Sequence, residues 1–280
     1  MQTLKDTTQS RPESIRATSS NSASLSHTTT RQSVSEKTSR LAGFAKRYFV
    51  DPLKIILYLR YPAVSITVYY ASITFGSLYL LNISVETAFS AAPYSFNTII
   101  IGLAYIPSSI GYILASFFGG RWTDAIMARE ARRAGRCDER GKLIYRPEDR
   151  MRENAWIAAI LYPGALVWYG WAVEKGVHWA VPLVATFFFG VGSMLVFAMA
   201  TTMLTEFMPK KASAGVAVNN FVRNIFSCVG AIVAQPLISA IGNGWLFTGV
   251  GVIAAASSVV VWLMKRYGPR WREKMVKELS

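Results

Sequence analysis

One stretch of the sequence carries polar residues at a spacing that could do chemistry. Gly215, Asn219, Arg223, Ser227, Ala231 and Gln235 recur every four residues, with Asn220, Asn224 and Cys228 running alongside. On a helix each step of four residues drifts by about 40°, so these side chains form a stripe that spirals slowly round the axis. Arg223 is the only charged residue deep within any of the apolar runs of this chain. A guanidinium near the centre of a bilayer costs about 2.5–3.5 kcal/mol on insertion scales, so something must offset it. Two readings are open. Arg223 pairs with the carbonyls of a neighbouring helix, or it lines a water-filled cavity that meets a solute, with Asn219 and Asn220 beside it. Tyr69, Tyr105 and Gln235 are the weaker candidates for the same solute path. A cavity rich in Tyr69, Tyr70, Phe75, Tyr79 and Tyr105 suits a large apolar or amphipathic small organic solute.

Other chemistries find no residues to carry them. The sequence has no His-Glu-x-x-His, no phosphate-binding Gly-rich loop with Lys and no Gly-x-Ser-x-Gly, so it does not read as an enzyme. His27 and His178 are isolated. Cys137 lies in a basic segment and Cys228 in an apolar one, which suggests neither a metal site nor a disulfide framework. No cofactor is expected. The formal net charge of +14 could suggest nucleic acid, but the Lys and Arg residues sit beside apolar runs and no nucleic-acid-binding signature accompanies them.

The elements that must position the stripe are membrane helices. Hydrophobic residues make up 52% of the 280 and charged residues only 16%, against about 25% charged in a soluble domain. Apolar runs of about 20 residues, the length that crosses a hydrocarbon layer, occur at Tyr61–Ile83, Asn97–Phe118, Ala155–Val173, Trp179–Leu204, Gly215–Ile238 and Trp245–Met264. The fold class is therefore an all-α membrane protein with six transmembrane helices over 61–264. In the second run, Gly111, Ala115 and Gly119 repeat at four-residue intervals, a spacing that lets helices approach closely in lipid.

Orientation follows from the charges. Arg121–Glu153 carries 10 basic residues and Lys265–Ser280 carries 6, whereas Glu86, Glu174 and Lys175 are the only fully charged residues on the other side. The basic side is cytoplasmic, and so are both termini. Residues 1–40, with 18 Ser or Thr, cannot bury enough apolar surface to fold and are expected to be a disordered tail. Residues 41–60 mix aromatic and basic residues and suit a helix lying on the lipid interface. Residues 119–153 form a cytoplasmic loop opening on a Gly119-Gly120 turn, and 265–280 a basic cytoplasmic tail.

The order of several short motifs carries a resemblance. Pro93-Tyr94-Ser95-Phe96-Asn97, Gly102-Leu103-Ala104-Tyr105, Gly119-Gly120-Arg121-Trp122-Thr123-Asp124, Arg146-Pro147-Glu148-Asp149-Arg150 and Ser213 through Arg223, followed by Pro236, Gly244-Trp245 and Phe247-Thr248, are spaced as in a fungal transporter. From Asp51 to about Met264 the chain resembles the C-terminal six-span half of a major facilitator superfamily protein, in the twelve-span drug:proton antiporter branch. Residues 1–50 then match the linker between halves. The resemblance implies an exporter of drugs, secondary metabolites or other small organic compounds driven by the proton gradient, in the plasma membrane or alternatively the vacuolar one. It implies a cytoplasmic gate at Gly120 and Asp124, with Glu148 and Arg150 beside it. The basic residue expected directly after the Asp is replaced by Ala125. It also implies a partner: a missing N-terminal six-span half, which would hold the proton-coupling acid, or a second copy of this chain. A non-transporting remnant or accessory bundle is the alternative.

Overall fold

The computed structural model describes residues 54–137, 143–144, 154–208 and 211–279. The expected tail over 1–40, residues 41–53 of the interfacial segment, and Glu148 and Arg150 lie outside the described residues. Among the described residues the chain is helical, and no strand is formed.

A 3-10 helix, Lys54–Arg60, leads into α1, Pro62–Ser90. The break between them is set by Pro62. Tyr61 before it is extended, at φ −80° and ψ 121°, and the proline itself starts the next helix. A short α2, Thr98–Leu103, is capped by Asn97, whose Oδ1 accepts the Ile100 N–H at 2.9 Å. After the turn at Ala104–Tyr105, Pro107 starts α3, Ile106–Arg133. There follow α4, Asn154–Glu174, α5, Ala180–Phe207, α6, Ala212–Ser257, and α7, Val259–Leu279. Among the described residues, five helical runs are long and apolar enough to cross a membrane, the last being Ala212–Met264.

Two expectations change. The Gly119-Gly120 pair lies inside α3, not in a turn, and the expected loop begins as helix up to Arg133. Ala125, Ile126, Met127, Ala128 and Ala131 favour helix, and Ile126, Met127 and Ala131 give it a buried face. The second change is in α6, which holds the fifth and sixth expected runs joined by a single non-helical residue, Gly242, at φ 79° and ψ 166°. Only glycine takes that conformation without strain.

The register against α1 reverses at Gly242. Before it, Gly230 approaches Gly76, and Gln235 shares a cleft with Thr87. After it, Ser84 donates to Asn243 Oδ1 at 2.7 Å, Ser258 Oγ lies 3.5 Å from Tyr70 Oη, and Thr67 faces Met264 Sδ at 3.9 Å. The first stretch runs parallel to α1 and the second runs back along it.

The helices are closed by small residues. A Cβ on Gly190 would meet Ser108 O at 2.5 Å, and one on Gly111 would meet the Phe187 carbonyl oxygen. The Gly111-Ala115-Gly119 stripe therefore packs α3 against α5, as its spacing predicts. At the centre Tyr162, Leu166 and Tyr169 of α4, all 0–1% exposed, meet Phe189 of α5 and Phe247 of α6.

Candidate functional site

Arg223 lies halfway along the first stretch of α6 and is half-buried. Its Cζ is 4.2 Å from the centre of the Phe75 ring on α1 and 4.3 Å from the Phe197 ring on α5. The two ring centres are 5.8 Å apart, so seen from Cζ they stand roughly at a right angle. The cation sits in a corner of two aromatic faces, each worth about 0.5–2 kcal/mol by its quadrupole. Phe75 in turn meets Tyr79 edge-on at 5.2 Å.

The polar groups of this corner are incompletely paired. Arg223 Nε is buried without a hydrogen-bond partner. Asn219, one turn earlier, is 1% exposed and its Oδ1 is likewise unpaired. Tyr79 and Tyr112 are within electrostatic reach of Arg223. Tyr112 Oη faces Ser193, whose Oγ donates to Phe189 O at 2.7 Å. Arg223 on α6 thus stacks on rings of α1 and α5 and lies within electrostatic reach of Tyr79 on α1 and Tyr112 on α3.

The other candidates are distributed elsewhere. Asn220 is exposed on the flank of the stripe. Tyr69 accepts from Ser257 Oγ at 3.3 Å, on the side of α1 that meets the returning stretch of α6. Tyr105 Oη donates to Asn82 O at 3.0 Å. Gln235 lines a cleft of about 470 Å³ with Thr87, Tyr94, Glu174 and Asn243 at the end of the bundle where α6 turns. Asp124 is exposed on α3 and, with Gly119, Gly120 and Thr123, lines a smaller cleft of about 170 Å³ against Met194 through Thr202 of α5. Of the residues read from the sequence, Asn219 and Arg223 lie one turn apart on α6, while Tyr69, Tyr105 and Gln235 make their contacts elsewhere.

Sequence reasoning missed two features. Phe197 carried no signal beyond its position inside an apolar run. Glu174 was read only as a loop charge, yet its Oε2 accepts the N–H of Asn243 at 2.8 Å and of Gly244 at 3.3 Å. It caps the returning stretch of α6 at its positive end. The Gly242-Asn243-Gly244 run was the available signal. Beside this cap, burial pushes the Tyr94 phenol above its ordinary value, and its Oη donates to Val177 O at 2.6 Å.

No protein-family model matches the chain. Individual proteins do. The chain is 53% identical over 224 residues to the MFS transporter OpS2 of Beauveria bassiana, covering 80% of this chain and 64% of that one. It is 50% identical over 226 residues to an MFS-type transporter of Gibberella moniliformis, covering 79% of this chain and 99% of that one. It is 36% identical over 226 residues to quinidine resistance protein 3 of Saccharomyces cerevisiae, covering 81% of this chain but only 32% of that protein. The chain therefore spans less than two thirds of the first of these relatives and about a third of the last.

Proposed function

Since the chain belongs to the major facilitator superfamily and is an integral membrane protein, we propose that it forms one six-span wall of a proton-coupled exporter of small organic compounds. The sixth span is the returning stretch of α6, continued into α7. A helix of 53 residues would be about 80 Å long at 1.5 Å per residue, far more than a ~30 Å hydrocarbon layer takes. The reversal at Gly242 supports two passes instead. Both ends then lie on the cytoplasmic side with Asp124 and the basic segments, and the Glu174 cap and the Gln235 cleft lie opposite. Carriers of this kind hold their solute between two bundles near the midplane. The second bundle is a separate N-terminal half or another copy of this chain. The plasma membrane is the proposed location.

The observation that carries the reading is Arg223. A guanidinium inside a span, stacked on two aromatic rings with no carboxylate beside it among the described residues, fits the polar wall of a solute path, whereas a lipid-facing position would leave its charge in hydrocarbon. Asp124 beside the small cleft between α3 and α5 is the proposed gate, where Gly120 leaves open space that a Cβ would not obstruct.

The test is efflux from proteoliposomes loaded separately with a rhodamine dye and with 2-naphthoate, under an imposed pH gradient. The chain is reconstituted alone and together with the N-terminal half of the Beauveria relative. Efflux from the chain alone supports a paired-copy carrier, and efflux only with the added half supports a two-part carrier. No efflux in either preparation rejects transport in favour of a non-transporting bundle.

A further inference from the structure

The aromatic corner around Arg223 has a directional consequence. Cations bound over ring faces lose those faces to further partners, and a guanidinium donates hydrogen bonds only from its edge, in its own plane. Phe75 and Phe197 stand at about a right angle round Arg223, so they close two of its sides, and a hydrogen-bonding partner meets the guanidinium along an edge the rings leave open. Edge-on approach is the geometry in which a planar, delocalised oxyanion takes two parallel N–H donors. Among the described residues Arg223 makes no ion pair, and the carboxylates of α1, α4 and α5 lie near the helix ends, at Glu86, Glu174 and Glu206. Asn219, 1% exposed, supplies an independent sign of an absent partner. Its amide oxygen, one helical turn before Arg223, is unpaired, and an Asn amide turned about its χ2 offers N–H donors instead.

We propose that this corner is an anion subsite of the solute path, taking a carboxylate or similarly delocalised oxyanion carried on an aromatic or apolar body. The anion lies against the edge of Arg223 with Asn219 as a second contact. The apolar body lies on the half-exposed rings of Phe75, Phe197 and Tyr79. The inference rests on the carrier reading above and narrows it from small organic compounds to organic acids. A carboxylate reaching in from another helix would satisfy the same charge, and the self-association measurement below separates that case from a bound acid.

The test uses the full chain in lipid nanodiscs and equilibrium binding of tritiated 2-naphthoate, with 2-naphthamide and 2-naphthylmethylammonium as matched neutral and cationic probes. Naphthoate is expected to bind saturably and about ten-fold or more tighter than the amide, the factor expected of one charged hydrogen-bonded contact, with the ammonium weaker still. Arg223→Gln brings naphthoate down to the amide's level. Arg223→Lys keeps the charge but not the planar fork, and falls between. Phe197→Leu weakens naphthoate and naphthamide together. Equal binding of the three probes, naphthoate binding untouched by Arg223→Gln, or no binding at all overturns the proposal. A drop in self-association with Arg223→Gln, without naphthoate binding, assigns the carboxylate to a second copy and also overturns it. Rhodamine efflux that persists without naphthoate binding removes the acid subsite and leaves the carrier standing. Naphthoate binding without efflux of either rhodamine or naphthoate removes the carrier and leaves an anion-binding corner that serves no transport.

Discussion

Phe75 and Gly76 are neighbours on α1, and both face the first stretch of α6, yet they make opposite contacts there. At Gly76 the two backbones touch: a Cβ on Gly230 would lie 2.9 Å from Gly76 O, and one on Gly76 would lie 3.3 Å from Phe226 O. At Phe75, the preceding residue, a ring stands at the contact, and a half-buried cation with its Nε unpaired stacks on it. The first contact buries no polar group and gains only packing, which is the force that associates helices in lipid. The second accepts the cost of a mid-span charge. The contrast teaches that a closed seam and an open corner are made by the same pair of helices. Residue size decides which one forms, and the glycine contact fixes the distance that the corner opens to.

The largest effect is expected from breaking the open side. Arg223→Ala abolishes export in the assembled carrier while the chain inserts and melts as before, because removing the guanidinium also removes an insertion cost of about 2.5–3.5 kcal/mol. Dye efflux together with a thermal melt in detergent checks both halves of that statement. Normal efflux would sink the role given to this residue. The closed side should fail in the opposite sense. Gly230→Leu forces a side chain against a backbone oxygen that cannot rotate away, and overpacking of this kind costs about 2–3 kcal/mol. The melt should shift strongly downward, with efflux lost only in proportion to folded protein. If the two variants had the same melting behaviour, the distinction between seam and corner would collapse.

The turn that brings α6 back along α1 sharpens the comparison at smaller scale. Gly242→Ala meets two penalties, a left-handed φ of 79° and a Cβ placed 2.8 Å from Glu174 Oε2. Glu174→Ala removes the cap on the Asn243 and Gly244 N–H groups, a loss of about 1 kcal/mol as for other helix caps. The double variant should be less destabilised than the sum of the two, because the carboxylate that the new Cβ strikes is gone. Melts of the two single variants and the double one measure the coupling. Strict additivity would mean that the backbone conformation alone is at fault.

Much of this was legible before any coordinates. Apolar run length gave the membrane helices, and four-residue spacing gave the Gly111-Ala115-Gly119 seam, because both depend only on the period of a helix. Arg223 and Asn219 stand out in the sequence for the same reason: they share a stripe and are costly in lipid. Tyr69, Tyr105 and Gln235 were chosen by residue type alone. The direction each faces depends on how α1, α3 and α6 rotate against their neighbours, and a single chain does not encode that in its own periodicity. Phe197 was illegible for a related reason. A phenylalanine in a membrane helix reads the same whether it meets lipid or a cation. The continuation of α3 through Gly119-Gly120 was misread because two glycines signal a turn in water, whereas here Gly119 faces Leu195 of α5 and helical neighbours carry the backbone across.

The smallest effect separates glycines that close a seam from those that merely occupy a helix. Gly249 lies on the returning stretch of α6 with no atom within 4 Å of where its Cβ would be, and it is exposed. Its backbone is helical, so alanine fits without strain and narrows the freedom of the unfolded chain. Gly249→Ala should therefore stabilise by about 0.5–1 kcal/mol, the difference in helix propensity between the two residues. A small upward shift of the melt is expected, with efflux unchanged. The same substitution at Gly230 adds only one methyl group, yet it should shift the melt downward, because that methyl meets Gly76 O. Shifts of opposite sign for one chemical change, at two positions on one helix, would show that the backbone approach at Gly76 holds α1 and α6 together. Shifts of the same sign would mean that glycine at Gly230 is there by propensity and that the seam has no special closeness to protect.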